Sequence, residues 1–443
     1  MSIRTIRYDQ SDYREQLDVL LNVLRAGGLT AAGAGQLDVP AVVRDVIADV
    51  RSRGDQAVID LTAKIENVAL STDRLRVSAE RIAEAHSNAE PEFLDLITRS
   101  ARNIREYQYS ILHRDPPMLR RGGRRLGVRY TPIRRVGVYV PGGQALYPST
   151  VLMTVVPAQV AGVSEVVMVS PPTGEGGDID PMVLALAGEL GVAEVYRVSG
   201  TAGIAAMAWG TDTIRPVSKI VGPGNAFIAE AKRQVMGRVG IDSIAGPSEV
   251  LIVADDSAIP AWVAADLLAQ AEHNPGSAVL VTPSTTLVEA VLAELAGQLG
   301  SLERADAIRE ALARYSGIVI TPTLDAACAL ADEFATEHLQ IITADPDDTL
   351  AKIHNAGAVF LGPYTPVPLG DYYAGPSHVL PTGGTARFFG PLSCNDFLKA
   401  SSLVQYDADA LRQDAADVID FATREGLTAH GAAVRRRIDH PGD

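Results

Sequence analysis

The sequence predicts an α/β protein with two open parallel sheets, a helical N-terminal segment and a helical C-terminal tail. From about residue 125, short apolar segments of strand length alternate with segments of helical periodicity, and a second run of this kind follows the first. Strands that alternate with helices typically form parallel sheets covered by helices on both faces. The two runs therefore indicate two open α/β domains.

The first run contains strands separated by helices, and Gly222-Pro-Gly-Asn225 opens its last helix. The predicted strands are 135–140, 165–170, 194–198 and 217–221. The predicted helices are 149–161, 181–190, 203–209 and 226–236.

The second run repeats the alternation. Its predicted strands are 249–254, 278–282, 317–321, 339–343 and 358–361. Its predicted helices are 261–273, 287–299, 303–315, 324–334 and 350–355. Outside the two runs, helical spacing of apolar residues covers 13–25, 40–65, 92–112 and the tail from about 405. The early helices are expected to pack on one of the two sheets.

The composition argues against several classes of protein. A chain of 443 residues with 47% hydrophobic residues should bury a large core in two or three domains. A net charge of −15 argues against nucleic acid as a partner, because phosphate binding needs a positive field. Two cysteines, Cys328 and Cys394, cannot form a disulfide framework or a thiolate zinc site. Since no signal region or membrane-spanning stretch is evident, we predict a cytoplasmic protein without a membrane partner.

Four separated segments carry side chains that suit a metal ion with a general base beside it. They contain Gln270 and His273, Glu337 and His338, Asp371, and His430. Gln270 and His273 lie three residues apart on a predicted helix and therefore share one face. A carboxylate beside an imidazole suits proton transfer, because histidine titrates near neutrality. Each residue also has a structural interpretation, as a surface amide, a helix-end side chain or a turn residue.

The loop that contains Asp371 is itself a candidate functional element. Residues 362–384 are rich in Gly and Pro, and a loop of this length in a compact protein is usually functional or disordered. Its aromatic and apolar residues favour an ordered loop.

Sequence patterns leave the cofactor open. Neither α/β run contains the G-x-G-x-x-G motif of dinucleotide-binding proteins. The sequence from Gly222 to Asn225 follows a strand and opens a helix, so its amides could face an anion. An ordinary tight turn explains it equally well. Tyr139 ends a strand where its ring could stack on a cofactor, and a packed core tyrosine is equally typical.

Three other functions are compatible with single features of the chain. Cys394 could be the nucleophile of a thiol-dependent aldehyde dehydrogenase, although a buried cysteine is the commoner explanation. The candidate metal ligands could activate water in a hydrolase, although no hydrolase motif supports this. The protein could also bind histidine-like ligands without catalysis.

Seven segments occur in a specific order along the chain: VGVYVPGG (136–143), VGPGNAFIAEAKRQV (221–235), DSIAGPSEVLIVAD (242–255), LLAQAEHNP (267–275), ATEHLQI (335–341), GDYYAGPSHVLPTGG (370–384) and EGLTAH (425–430). Together they resemble the histidinol dehydrogenase family from about residue 30 onward. The resemblance implies oxidation of L-histidinol to L-histidine through L-histidinal, with two NAD⁺, in the final steps of histidine biosynthesis. It also implies that both α/β domains are incomplete Rossmann-like folds.

The resemblance further implies roles for individual residues. One Zn²⁺ per subunit would be held by Gln270, His273, Asp371 and His430, with Glu337 and His338 as the acid–base pair. The implied substrate contacts are Ser248, Gln270, His273, His338, Asp371, Glu425 and His430. The implied NAD contacts are Tyr139 and Asn225, and Ala202 stands where the family has a third contact, a Gln.

The family is a homodimer that exchanges its C-terminal tails, so Glu425 and His430 are expected to serve either their own or the partner's site. The expected division is an N-terminal helical arm 1–35, a larger domain 36–138 with 248–390 that carries most of the metal site, an inserted cofactor domain 139–247 and a helical tail 391–443.

The implied chemistry suits these residue types. A site with one formal negative charge, from Asp371, stays positive around zinc and can accept the neutral nitrogen donors of histidinol, unlike a Cys-rich structural site. The metal would then position the carbinol carbon. His338 would accept the proton of the alcohol, and Glu337 would activate the water that hydrates the aldehyde.

Overall fold

Two parallel sheets organise the protein. A computed structural model describes residues 3–25, 37–142, 148–173, 176–244, 246–273 and 275–439. In the larger sheet all neighbouring strands are parallel. Its strands in spatial order are Arg4–Arg7, Gly317–Ile320, Ser277–Thr282, Glu249–Ala254, His338–Ile342 and Ala358–Leu361. The smaller sheet is also parallel, with strands Glu194–Arg197, Glu165–Ser170, Arg135–Tyr139, Lys219–Val221 and Gly240–Ile241.

The predicted α/β fold with two parallel sheets is therefore confirmed. The central strands of both sheets are buried along their whole length, as expected for sheets covered on both faces. Helices that cover the six-stranded sheet are Tyr13–Arg25, Pro260–Ala271, Thr285–Leu299, Ala305–Arg314 and Leu324–Phe334. The short helices Pro346–Leu350 and Val367–Tyr372 follow further along the chain.

The five-stranded sheet has one hydrophobic core on each face. One core uses the helices Ala79–Ser87, Pro91–Ile111, Pro148–Val160 and Pro181–Glu189. The other uses the helices Val39–Arg53, Asp55–Glu66, Gly200–Trp209 and Ala226–Val235, with the short helix Thr72–Leu75 beside them.

This packing differs from the expected grouping of residues 36–138 with the larger domain. Their buried side chains, such as Val43, Ile47 and Ile104, pack into the cores of the five-stranded sheet instead. The apolar periodicity of these helices shows that one face must be covered, but it does not identify the sheet that covers it. The exact domain boundaries stay a prediction.

The expected N-terminal helical arm begins with a strand. Arg4–Arg7 pairs in parallel with Gly317–Ile320 and forms one edge of the six-stranded sheet. The helix Tyr13–Arg25 follows as predicted, and its Leu17, Leu20 and Leu21 are buried against that sheet. Residues 1–2 and 26–35 of the expected arm lie outside the described part of the chain. Four residues are too few to show a strand pattern before the partner strand is known.

The tail also begins with a strand that the periodicity did not predict. Leu398–Tyr406 pairs antiparallel with Arg124–Pro132, which pairs with Leu119–Arg121. The predicted tail helices follow at Ala408–Arg424 and Thr428–Asp439, and they pack on each other. An ion pair between Arg124 and Asp414 ties the first tail helix to the antiparallel sheet. Within the described residues, no helix is both long and apolar enough to cross a membrane.

Candidate active site

A cavity of about 450 Å³ collects the predicted catalytic residues and cofactor contacts. Tyr139 and Asn225 reach it from the five-stranded sheet, where they lie at or beyond the carboxyl ends of strands. Glu337 and His338 reach it from the amino end of a central strand of the six-stranded sheet. Other predicted residues in the lining are Ser248, His273 and Asp371. The cavity therefore lies where the ends of the two sheets face each other.

His338 is fixed by the backbone of the neighbouring strand. Its Nδ1 lies 3.1 Å from the carbonyl oxygen of Glu249, so Nδ1 carries the hydrogen and donates it. The other nitrogen, Nε2, is buried and has no hydrogen-bond partner among the described residues. Asp371 Oδ1 lies 3.7 Å from Nε2, which is too far for a hydrogen bond. The ring therefore has one nitrogen engaged by the backbone and one nitrogen without a hydrogen-bond partner among the described residues.

Glu337 is held just as firmly, although it precedes the strand. Its Oε2 accepts a hydrogen bond of 2.8 Å from the backbone N–H of Glu249 and lies 3.4 Å from His338 Nδ1. Burial raises the pKa of Glu337 to about 7, while His338 and the backbone of Glu249 favour the ionised form. A buried carboxyl with a pKa near neutrality can both take up and release a proton at working pH.

The pKa of His338 is raised as well. Burial disfavours the imidazolium, but the carboxylates of Glu337 and Asp371 outweigh that effect and raise the pKa to about 9. The two catalytic candidates are strongly coupled, because each favours the charged form of the other. The charge state of each residue therefore depends on that of the other, and both respond to the charge of Asp371.

Gln270 and His273 lie at the end of the helix Pro260–Ala271, as predicted. Gln270 is 3% exposed, and its Nε2 has no hydrogen-bond partner among the described residues. Burial lowers the pKa of His273, which favours the neutral form that binds metals. Gly276 permits the tight turn that follows, because a Cβ there would lie 2.3 Å from the backbone oxygen of Gln270.

Asp371 lies in the short helix Val367–Tyr372 within the predicted functional loop, which is ordered. Its pKa is lowered: burial opposes ionisation, but His338, His378 and His273 together outweigh burial. The backbone oxygen of Asp371 also lies 3.0 Å from Nδ1 of His378, which holds this turn against the cavity wall. Asp371 is therefore an ionised carboxylate among three imidazoles.

A second cavity of about 610 Å³ is lined by Gln270, His273 and Asp371. Helix Pro91–Ile111 contributes an apolar wall to it, and Asp266, Glu272 and Arg304 contribute charge. His273 and Asp371 line both cavities, whereas Gln270 lines only the second one.

Gln270, His273 and Asp371 are the three predicted metal ligands that line one cavity. Among the described residues, no three His, Cys, Asp or Glu side chains are placed together to hold a metal. Gln270 adds an amide to His273 and Asp371, and a buried amide without a partner calls for a ligand. A rotation of the Gln270 amide by 180° would place its oxygen, which can bind a metal, where Nε2 now lies without a partner.

The two predicted tail residues do not line the site within one chain. Glu425 and His430 are exposed, and neither is among the described residues that line the two cavities. The tail helices pack on each other, and the ion pair between Arg124 and Asp414 connects the first of them to the antiparallel sheet. A single chain therefore does not bring His430 to Gln270, His273 and Asp371.

The predicted cofactor contacts lie around a constrained turn. Gly222 has φ +119°, and a Cβ there would lie 2.2 Å from the backbone oxygen of Tyr139, so only glycine fits. Asn225 caps the next helix by accepting hydrogen bonds from the N–H groups of Phe227 and Ile228. Ala202 is buried in a hydrophobic core and is not among the residues lining the cavity, so it offers no polar contact there.

Sequence reasoning did not predict the part played by Glu249. This carboxyl is 3% exposed, and its side chain and backbone contact both Glu337 and His338. The strand register pairs His338 with Val250, so Glu249 and Glu337 are opposite each other one residue earlier. A signal existed in the sequence, since an acidic residue directly precedes an apolar strand in both PSEVL and EHLQI.

Cys394 is excluded as a nucleophile by its surroundings. It is fully buried in a hydrophobic core, its Sγ donates to the backbone oxygen of Gln108 at 3.1 Å, and burial raises its pKa. A catalytic thiol needs access and a lowered pKa.

We therefore expect C394S to oxidise histidinal at the wild-type rate, with a loss of about 1 kcal/mol in the free energy of unfolding. Steady-state kinetics with histidinal and chemical denaturation check both expectations. Selective loss of aldehyde oxidation in a folded C394S protein would restore the thiol mechanism.

Comparisons with known proteins agree on one family. The family model for histidinol dehydrogenase matches residues 31–438. A histidinol dehydrogenase of Rhodopirellula baltica is 52% identical over 398 residues, which cover 90% of this chain and 86% of the relative. A histidinol dehydrogenase of Geobacillus kaustophilus is 48% identical over 398 residues, or 90% of this chain and 93% of the relative.

Solved structures agree as well. The crystal structure of histidinol dehydrogenase from Elizabethkingia anophelis matches with a TM-score of 0.91 and 31% identity, covering 99% of this chain and 98% of that one. An acetylating aldehyde dehydrogenase from Geobacillus thermoglucosidasius, 13% identical with a TM-score of 0.50 and 90% and 98% coverage, shares only the fold. The family model, the close relatives and the matching crystal structure lead to one conclusion: this chain belongs to the histidinol dehydrogenase family of oxidoreductases.

Proposed function

We propose that the protein oxidises L-histidinol to L-histidine through L-histidinal, using one Zn²⁺ per subunit and two NAD⁺ per turnover, in the last steps of histidine biosynthesis. The observation that carries this proposal is the buried Nε2 of His338, which has no partner among the described residues and faces the cavity shared with Tyr139 and Asn225. The compartment we propose is the cytoplasm.

Gln270, His273 and Asp371 would hold the zinc together with His430, and histidinol would add its imidazole and amine. When bound, the metal supplies a fixed positive centre that orients the carbinol and strengthens the acidity of its hydroxyl. The protein supplies the rest of the binding: Ser248 lies in the same cavity, and Glu425 is the proposed tail contact.

His338 accepts the hydroxyl proton as hydride leaves for NAD⁺. Its Nδ1–H is already engaged by the carbonyl of Glu249, so the ring cannot turn and Nε2 is the atom that receives the proton. The pKa of about 9 reflects the unscreened carboxylates of Glu337 and Asp371. Engagement of Asp371 by a cation removes part of that stabilisation and brings the pKa closer to the range of a general base.

Glu337 serves the second oxidation. Hydride transfer from an aldehyde requires a hydrated, tetrahedral carbon, and a carboxyl with a pKa of about 7 can deprotonate the attacking water. His338 then takes the second proton. The residues proposed for NAD, Tyr139 and Asn225, line the same cavity as Glu337 and His338, so one cofactor position would serve both oxidations.

Histidinol-dependent formation of NADH by the purified protein tests this function directly. A metal-dependent hydrolase would produce no NADH, and a protein that only binds histidine-like ligands would show binding without turnover. Formation of two NADH per histidinol consumed is the expected stoichiometry.

E337Q should harm the oxidation of histidinal more than that of histidinol. Only the aldehyde step needs an activated water, so we expect an additional loss of about tenfold to a hundredfold in kcat for histidinal. Separate assays with histidinol in a single turnover and with histidinal in steady state measure the two steps. Equal losses in both would remove the proposed role of Glu337.

We also propose a homodimer in which each tail completes the partner's site. The separation of His430 from the other three ligands within one chain supports exchange. The first tail helix also exposes Val418 and Phe421, the latter with 70% of its surface accessible, and such apolar groups favour contact with a second chain.

Mixed dimers distinguish the two arrangements. A dimer of one H338N chain and one H430A chain contains one intact site if tails are exchanged, and none if each tail serves its own chain. When equal amounts of the two variants pair at random, about half of the dimers contain one chain of each. Each such dimer would have one intact site of two, so exchange predicts recovery of about a quarter of wild-type activity from two inactive proteins. Co-refolded mixtures measure this, with each variant alone as the control. Absence of any recovery, with mixed dimers demonstrated by affinity tags, would exclude exchange.

A further inference from the structure

Glu249 lies at the point where three parts of the catalytic framework meet. It begins a central strand of the six-stranded sheet, opposite Glu337 at the start of the next strand. The end of the functional loop, at Gly383, crosses both strand ends. The side chain of Glu249 is 3% exposed and is not among the residues that line the active-site cavity. It can therefore affect catalysis only through its neighbours.

One oxygen of Glu249 joins these three segments. Oε1 accepts a hydrogen bond of 3.1 Å from the backbone N–H of Glu337 and one of 3.0 Å from the backbone N–H of Gly383. In return, the backbone N–H of Glu249 donates to Oε2 of Glu337, and its carbonyl oxygen accepts from Nδ1 of His338. Glu249 thus contacts the main chain of one catalytic residue and, through its own backbone, the side chains of both.

A neutral residue would be a less costly way to fill this position if packing were its only purpose. Burial of a carboxyl in a protein interior is unfavourable, and burial is the main reason that the pKa of Glu249 is raised to about 8. An acceptor that two backbone N–H groups share satisfies donors that would otherwise be buried without partners. Because one carboxyl oxygen accepts from both N–H groups, it also fixes the distance between the main chain at Glu337 and the main chain at Gly383.

We propose that Glu249 is a positioning residue for the oxidation of the aldehyde, which keeps the main chain of Glu337 at a fixed distance from Gly383 so that the carboxyl of Glu337 reaches the attacking water. This inference rests on the proposed function. Thr382, next to Gly383, accepts a hydrogen bond of 2.5 Å from the backbone of Gly246, so the same loop end also supports the segment that carries Ser248. Displacement of a catalytic group by about 1 Å can cost a hundredfold in rate.

Two substitutions distinguish the effect of the hydrogen-bond acceptor at position 249 from the effect of the side-chain volume. E249Q retains an oxygen that can accept from both N–H groups, whereas E249M has a similar volume and no acceptor. T282V provides a matched control, because Thr282 is also fully buried in a strand of the same sheet and accepts a backbone hydrogen bond, from Ser284. E249D keeps the carboxylate but draws it back by one methylene, and it replaces E249M in the comparison if that variant does not fold.

The measurements are kcat and KM for histidinal in steady state, and the single-turnover rate with histidinol. For E249M we expect kcat for histidinal to fall by about tenfold to a hundredfold, KM to change by less than about threefold, and the alcohol step to fall less than the aldehyde step. E249Q should stay within about threefold of wild type, and T282V should leave the ratio of the two steps unchanged.

Three results would overturn the inference. They are wild-type rates in E249M, losses in E249M that are equal for both oxidations, and losses in E249Q as large as those in E249M. Failure of the proposed function is observed separately, since wild-type protein would then form no NADH with histidinol. If wild type is active and E249M is also fully active, only the role of Glu249 is refuted.

Discussion

H338N is expected to slow the oxidation of histidinol and of histidinal alike, by about a hundredfold to ten-thousandfold in kcat. The reason is that each oxidation releases one proton at the substrate oxygen, and the buried Nε2 of His338 is the proposed acceptor in both. Asparagine can still donate to the carbonyl oxygen of Glu249, so the strand ends should keep their arrangement. The loss should therefore appear in kcat, with little change in KM for NAD⁺.

H354N is the appropriate control for this experiment. His354 also lies near a carboxylate, that of Asp332, but its side chain is 76% exposed and it lies outside both cavities. Steady-state kinetics with each substrate give kcat and KM for both variants. A folded H338N protein that retains one of the two oxidations at the wild-type rate would assign that proton transfer to another group.

Removal of the metal by a chelator is expected to abolish histidinol oxidation completely, and added Zn²⁺ is expected to restore it. Without a cation, Asp371 keeps its full negative charge beside His338, which holds the imidazole in its protonated form. The imidazole and amine of histidinol also lose the cation that would hold the carbinol near His338. We expect both effects to act together, so the residual activity should fall below detection.

Metal analysis and activity should be followed in parallel during chelation and reconstitution. One zinc per chain should accompany full activity, and H273A should lose metal and activity together, since it removes a proposed ligand. A metal-free protein with wild-type turnover would refute the ligand assignment. Retention of stoichiometric zinc by H273A with full activity would do the same.

The sequence predicted the α/β core because its strands are buried on both faces and therefore appear as uninterrupted apolar segments. Glu165–Ser170 and Glu249–Ala254 were predicted with the bounds that the structure has. The strand Arg4–Arg7 and the antiparallel sheet of Leu398–Tyr406 and Arg124–Pro132 were not. Leu398–Tyr406 is mostly exposed, so it lacks the alternating or continuous apolar pattern that indicates a strand.

The site residues were predicted from their types and from the family resemblance. How they are arranged relative to one another could be described only from the fold. The cavity unites Glu337, His338, His273 and Asp371, although they lie in separate parts of the chain. Glu249 was missed because its importance depends on strand register, which a single sequence does not reveal. His430 is predicted to bind the same metal as Gln270, His273 and Asp371. Those three residues line one cavity, and His430 of the same chain does not.

Gln270, His273 and Asp371 lie, with Glu337 and His338, on elements of the six-stranded half of the molecule, whereas Tyr139 and Asn225 belong to the five-stranded half. Under the proposed function, an aldehyde held by the first group need not be released while NADH is exchanged for NAD⁺ beside the second group. A four-electron oxidation would then require two visits of the dinucleotide but only one binding event for the substrate.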